Sequence, residues 1–324
     1  MIIVTGGAGF IGSAFVWKLN QQGIEDILVV DNLDRTSKWK NLVNLRYTEY
    51  LHKNVFLERV LRDDFDRPVD AVIHMGACSS TTEPDADYLM ENNYRYSKVL
   101  AEYCLAKSAR FIYASSAATY GDGTLGFLDD EEQLEALRPL NMYAYSKQLF
   151  DLWARRNSVL DQMVGLKFFN VFGPNEYHKE EMKSVACKAF HQISETGRLQ
   201  LFKSYREDFP HGGQMRDFVY IKDCVDVMWW FLDTPEKNGI YNVGTGTART
   251  WNDLAGAVFS AMGREPEIEY IPMPEIIRDK YQYFTEAGMQ KLHQAGCPVR
   301  FTPLEEAVSD YLNGYLAAAD SYLG

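Results

Sequence analysis

The chain has 324 residues, which is one large or two closely joined domains, and 46% of them are hydrophobic, enough for a full core. A net charge of −12 excludes a nucleic-acid binder, because neutralising a phosphate backbone takes clustered Lys and Arg; a single bound nucleotide needs only local donors. Five dispersed cysteines (Cys78, Cys104, Cys187, Cys224, Cys297) without a C-x-x-C pair read as reduced thiols, with no disulfide framework and no metal site. The most apolar run, VMWWFL at 227–232, is too short to span a bilayer. With no charged leader ahead of Ile2–Val4, a cytoplasmic protein is expected.

In chain order, short apolar runs at Ile2–Val4, Ile27–Val30, Ala71–His74, Phe111–Ala114 and Val164–Phe169 alternate with helix-like stretches, notably Ile11–Gln22, Tyr94–Lys107 and Tyr143–Arg156. Such alternation predicts an α/β fold: a doubly wound parallel sheet of the Rossmann type. Runs without polar alternation fit strands buried on both faces. Beyond about residue 170 the rhythm breaks into polar, Gly/Pro-rich loops, so residues 1–170 and 214–245 are expected to form the nucleotide-binding part. The chain then returns to the sheet near Phe218–Tyr220 and Tyr241–Val243. Residues 171–213 and 246–324 would form a smaller α/β substrate-binding part.

Three motifs carry chemistry. TGGAGFIGS (5–13) places Gly6, Gly9 and Gly12 between the first strand and first helix. Glycine there allows a tight turn, close approach of a pyrophosphate, and close helix packing, while the helix N-terminus attracts the anion. Asp31 ends the next strand, where a carboxylate accepts hydrogen bonds from an adenosine ribose and favours NAD. Arg35, Lys38, Lys40 and Lys53 could instead hold a 2′-phosphate or simply be solvated.

The second motif is YAYSK (143–147). Tyr143 and Lys147, four apart, share a helix face. A phenol with a pKa of about 10 is a poor base at neutral pH, and a nearby ammonium is expected to lower it. Tyr145 points elsewhere. In the third, RFIYASSAATYG (110–121), a strand ends in serines at the carboxyl edge, where open α/β sheets bind ligands. Ser116 is placed to orient the reacting oxygen beside Tyr143, and Ser115 to cap the turn.

These motifs, with FFNVFGP (168–174) and RDFVYIKD (216–223), resemble the extended short-chain dehydrogenase/reductase family over nearly the whole chain. The segments 74–93, 175–186 and 269–285 are similar to its nucleotide-sugar epimerases that act on C6″ of ADP-glycero-manno-heptose for the lipopolysaccharide inner core. The resemblance implies an isomerase with NADP as cofactor (NAD the alternative), a homopentamer, and two acid/base residues, Tyr143 and Lys179, on opposite sides of the reacting carbon. It implies a cofactor site of Gly6, Gly9, Phe10, Ile11, Gly12, Asp31, Asn32, Lys38, Lys53, Met75, Gly76, Ala77, Cys78, Ser79, Asn92, Lys147, Val171 and Lys179. On the substrate side it implies Ser116, Asn170, Glu181, Lys188, Phe202, Lys203, Ser204, Tyr205, Arg216 and Tyr281, with Arg216 on the diphosphate.

Taken alone, Lys179 reads as a solvated lysine, His178 as a loop histidine and His74 as structural. Met75, Glu181, Lys188 and 202–205 depart from the family pattern. A 4,6-dehydratase would need carboxyl groups where Ala117 and Ala118 stand. A UDP-sugar C4 epimerase, which needs Ser116, Tyr143 and Lys147 but no Lys179, is the alternative.

Overall fold

Strands apolar at every position must be covered on both faces, and the sheet is built around them. A computed structural model describes residues 1–278 and 281–324, with only the backbone for Ile276 and Ile277; Asp279 and Lys280, within the 269–285 match, lie outside the described residues. The strands are β1 (Ile2–Thr5), β2 (Ile27–Asp31), β3 (Glu49–His52), β4 (Ala71–His74), β5 (Arg110–Ser116), β6 (Val164–Phe168), β7 (Asn170–Phe172), β8 (Leu199–Phe202), β9 (Met215–Tyr220), β10 (Gly239–Val243), β11 (Ala248–Thr250) and β12 (Ile268–Ile271). A seven-stranded parallel sheet runs β10-β6-β5-β4-β1-β2-β3. β2, β4, β6 and β10 are buried throughout, as expected for a parallel sheet with helices on both faces.

The helices that matter for the site are α1 (Phe10–Gln21), α2 (Lys53–Arg62), α3 (Ala86–Leu89), α4 (Tyr96–Lys107), α5 (Met142–Arg156), α6 (Val185–Thr196), α7 (Ile221–Asp233) and α8 (Trp251–Ala261). α1 packs against α7, and α2 against α4, while α5 lies on β5. This is the doubly wound α/β fold that the alternation of elements predicts. A π-helical turn at Met90–Arg95 delays α4 beyond its expected start at Tyr94. Within that turn Asn93 turns its side chain onto the Cys78 backbone and the Ser146 hydroxyl.

Two features differ from the sequence reading. β3 (EYLH) carries no apolar run because it is a half-exposed edge strand. β9 does not return to the main sheet. It pairs with β7 (Asn170↔Phe218) and β11 in a separate three-stranded sheet, while β8 and β12 pair in a third. Of the 214–245 segment assigned to the nucleotide-binding part, the strand that joins the large sheet is β10. An apolar run such as FVY at the end of β9 demands burial without specifying a partner. Here the chain leaves the large sheet at Phe169, whose N–H donates to Val243 O at 3.0 Å, and β7 presents the new edge.

Candidate active site

The glycine loop is shaped by exclusion. Gly6 has φ +65°, and a Cβ there would lie 2.6 Å from Gly76 N; a Cβ on Gly12 would lie 2.0 Å from Gly6 O. The turn and the helix–strand contact therefore admit no side chain. Gly9 is extended and gives α1 no side-chain cap, so the first N–H groups of α1 face outward without an internal acceptor. That is the arrangement a pyrophosphate needs.

At the end of β2, the Asp31 carboxylate accepts from Ala8 N (2.9 Å), Asn32 N (2.7 Å) and Lys38 Nζ (2.7 Å). Lys53 Nζ donates to Asn92 Oδ1 at 2.6 Å. Two of the cations counted toward a 2′-phosphate are thus already engaged.

A cleft of about 740 Å³ runs along the carboxyl edge of the sheet. All eighteen residues expected at the cofactor line it, from Gly6 through Asp31 and Met75–Ser79 to Lys179, and so do Tyr143, Ser116 and Asn170. The Asn141 side chain caps α5 by accepting from Ala144 N at 2.8 Å, which fixes the helix start and puts Tyr143 and Lys147 on one face. The Lys147 ammonium is buried and donates to Ala114 O at 2.9 Å. Burial pushes it down to about 8, with the Asp151 carboxylate opposing.

The expected lowering of the Tyr143 phenol by Lys147 is corrected here. Burial raises the phenol, and the Ser116 hydroxyl is the group that opposes this. Tyr145 is exposed, as its position on the helix predicts.

Lys179 reaches the cleft from a 3₁₀ turn (Tyr177–Met182), its ammonium 5.2 Å from the Phe10 ring centroid. It is therefore not a solvated lysine. Burial lowers its pKa, and the Glu176 carboxylate opposes. His178 is partly buried, bonds Asn41 Nδ2 at 3.2 Å, and is pushed to about 4 by burial and then by Lys38 and Lys179. His74 bonds Thr5 Oγ1 (2.6 Å) and Ser97 Oγ (2.8 Å) in the core and falls to about 3 by burial. Both histidines are neutral packing groups at pH 7.

The expected substrate residues divide. Arg216 is buried, its guanidinium over the rings of Trp251 (5.7 Å) and Tyr281 (5.1 Å), with hydrogen bonds to the carbonyls of Met215 and Gln282. No carboxylate pairs with it among the described residues. Trp251 lines the cleft and donates to Tyr281 Oη at 2.9 Å, which sets this group at the cleft's edge. Glu181 and Lys188 instead pair with each other at 3.2 Å on the surface.

The 202–205 segment is likewise held among neighbours outside the cleft. Phe202 and Lys203 are partly buried, Ser204 N donates to His211 Nδ1 (3.1 Å), and Tyr205 N donates to Tyr283 Oη (3.0 Å). Arg278 covers the Tyr205 ring at 4.1 Å.

The sequence reading missed a buried pair behind Lys147. Asp151 accepts from Tyr113 Oη and Ser115 Oγ, and Lys167 Nζ lies 3.7 Å away. Ser115 is thus a partner of this carboxylate and not a turn cap. The four-residue spacing from Lys147 to Asp151 was the available signal.

The model of the NAD dependent epimerase/dehydratase family matches residues 2–244. The chain belongs to the NAD dependent epimerase/dehydratase family. Members of this family in the curated proteins include the ADP-L-glycero-D-manno-heptose-6-epimerase of Nitratidesulfovibrio vulgaris (strain DP4), 65% identical over 323 residues and covering 100% of both chains. The same enzyme of Fusobacterium nucleatum is 50% identical over 332 residues, again covering 100% of both.

Among solved structures of the family, the Helicobacter pylori ADP-L-glycero-D-manno-heptose-6-epimerase superposes with a TM-score of 0.82 at 28% identity, covering 98% of this chain and 96% of that one. The Thermus thermophilus UDP-glucose 4-epimerase, a complex with NAD, gives 0.76 at 26% identity with 98% and 99% covered. The expectation of NADP is corrected by the Thermus thermophilus relative, whose structure holds NAD. The engagement of Lys38 by Asp31 and of Lys53 by Asn92 agrees, since neither ammonium is held in reserve for a phosphate.

Proposed function

We propose that the chain inverts C6″ of ADP-glycero-manno-heptose, converting the D-glycero to the L-glycero form for the lipopolysaccharide inner core. Full-length identity of 65% to a curated epimerase of that name carries this reading. NAD, when bound, would supply a reversible hydride acceptor for C6″, so the net redox change would be zero. Gly6, Gly9 and Gly12 would approach its pyrophosphate, Asp31 its adenosine ribose and Lys147 its nicotinamide ribose.

The chain's own groups handle the protons. Removing hydride from a carbinol leaves a planar ketone, and inversion requires hydride to return to the opposite face. The two epimers then present their hydroxyl groups in different directions, and one base cannot reach both. Tyr143, oriented by Ser116, takes or returns the proton on one side. Lys179, whose ammonium burial weakens, serves the other. Arg216, buried between aromatic faces without a carboxylate partner among the described residues, offers its fork to the diphosphate. Assembly as a homopentamer and a cytoplasmic location belong to the same reading. They rest on the family resemblance and on the absence, among the described residues, of a helix long and apolar enough to cross a membrane.

The test is incubation of the purified protein with ADP-D-glycero-D-manno-heptose and, separately, with UDP-glucose. The L-glycero epimer should accumulate to equilibrium in the first and nothing should change in the second. The reverse pattern would assign a C4 epimerase.

A further inference from the structure

We infer that Glu176 is the positioning residue of Lys179, clamping the loop that carries this second base into one piece with the cofactor-binding loop. The inference rests on the reading of Lys179 as an acid/base residue.

Glu176 is wholly buried. Its carboxylate accepts from Gly173 N at 3.3 Å, where the loop leaves β7, and from both Ser184 Oγ (2.7 Å) and Ser184 N, where the loop enters α6. One side chain thus ties both ends of the loop together from the inside. Its carbonyl also accepts from Lys179 N at 3.0 Å, which fixes the first turn of the segment bearing the base.

The loop is fastened outward as well. Asn175, fully buried with φ +75°, donates from Nδ2 to Ser13 Oγ on α1 (3.0 Å) and accepts from Leu323 N (3.1 Å). Asn41 Nδ2 donates both to Asn175 O (3.0 Å) and to Ala8 O of the glycine loop (2.9 Å). Immediately after Lys179, Glu180 holds φ +46° and ψ −119°, a conformation that a non-glycine residue keeps only when its surroundings over-determine it. The pieces therefore form a platform that places the Lys179 ammonium relative to α1 and the glycine loop.

A carboxylate is a costly anchor, because burying an ionised group without a matched partner is unfavourable. A neutral side chain would accept the same hydrogen bonds in part. What the charge adds is its effect on Lys179, whose ammonium it supports against burial. Anchorage and electrostatics thus converge on one residue three positions before the base.

The experiment measures NAD-loaded protein with ADP-glycero-manno-heptose in four forms: parent, Glu176→Gln, Lys179→Met and the double variant. Glu176→Gln should lower kcat by about 10²-fold, the usual consequence of a catalytic group displaced by about 1 Å, with the KM for the sugar and the NAD content unchanged. In the Lys179→Met background the same change should cost nothing further, because a residue acting through Lys179 has no effect once Lys179 is gone. Losses that multiply, or a Glu176→Gln rate near the parent's, would overturn the inference while leaving Lys179 in place as a base. Lys179→Met at the parent rate would instead overturn the two-base reading on which the inference depends. If Glu176→Gln does not fold, Ser184→Ala removes one of the clamp's donors and should show a smaller kcat loss, of about tenfold, with the same non-additivity.

Discussion

The two sides of the cleft are encoded differently. On the cofactor side, contacts come from the carboxyl ends of β1, β2, β4 and β5 and from the helix start that follows β1, and much of the geometry belongs to backbone. Gly6 and Gly12 have no room for a side chain, and the α1 N–H groups point outward because no cap takes them. On the substrate side, side chains from separate segments meet in two small sheets and the loops between them. Arg216 is on β9, Trp251 on α8, and Tyr281 in a loop beyond β12. A site made of backbone leaves a local pattern, whereas one made of distant side chains leaves single residues whose meeting only the fold reveals.

The largest effects should come from the proposed acid/base pair, Tyr143 and Lys179. Tyr143→Phe removes the proposed proton carrier on the cofactor-side helix and should slow epimerisation by about 10² to 10⁴, the usual contribution of such a group, with bound NAD retained. Steady-state assay together with the nucleotide released on denaturation checks both halves. Lys179→Met should slow the reaction by a comparable factor of about 10² or more. A variant with a near-parent rate would place all proton transfer on Tyr143, and the substrate side would then be a binding surface only.

An intermediate effect belongs to Arg216. Its guanidinium lies over two aromatic rings in a buried setting, which a compact ammonium does not reproduce. Arg216→Lys should raise the KM for the nucleotide sugar by about tenfold or more, the worth of a charge-assisted hydrogen bond, with kcat changed far less. A drop in kcat at constant KM would move Arg216 from binding into the chemistry.

The strands of the large sheet apart from β3, its parallel order of strand and helix, the glycine loop and the shared helix face of Tyr143 and Lys147 could be read from the sequence, since apolar runs, glycine spacing and a four-residue spacing are local signals. What could not be read depended on partners far along the chain. β9 ends in an apolar FVY run like those of the main sheet and pairs elsewhere. Lys179, in a K-E-E-M-K context, looks solvated until the loop folds it over Phe10. Glu176 resembles any loop glutamate until Gly173 and Ser184 converge on it. The NADP that the resemblance implied failed, and the lysines that could have held its 2′-phosphate have partners only the fold reveals. Counting lysines near Asp31 does not show that Lys38 is spent on Asp31 and Lys53 on Asn92.

A smaller effect is set by pH on the cofactor side. Burial lowers Lys147 from 10.5 to about 8. Between those values the unfolded chain still binds the proton that the folded chain has released, so this residue contributes stability that rises with pH across the window. Catalysis should move the opposite way, since the Lys147 ammonium proposed to hold the nicotinamide ribose is lost above about pH 8. The rate should therefore fall on the alkaline side before thermal unfolding shows any loss. Rate and melting temperature declining together would mean that the alkaline limb reports unfolding.

The smallest effect tests where the substrate side ends. Glu181 and Lys188 stand at positions that the family resemblance assigns to substrate, yet here they satisfy each other at 3.2 Å, with the Glu181 side chain 97% exposed. An ion pair so open to water is screened and holds two flexible side chains at an entropic cost, so it contributes only about 0–1 kcal/mol. Lys188→Ala should therefore change the melting temperature little. Neither residue lines the cleft, although their neighbours Met182 and Ala186 do, so the KM for the nucleotide sugar should shift by less than the roughly tenfold expected at Arg216. A KM increase as large as that of Arg216→Lys would show that the pair opens and that Lys188 turns to the substrate on binding. The substrate side would then extend along α6, and the contrast with the rigid cofactor side would become one of motion as well as of encoding.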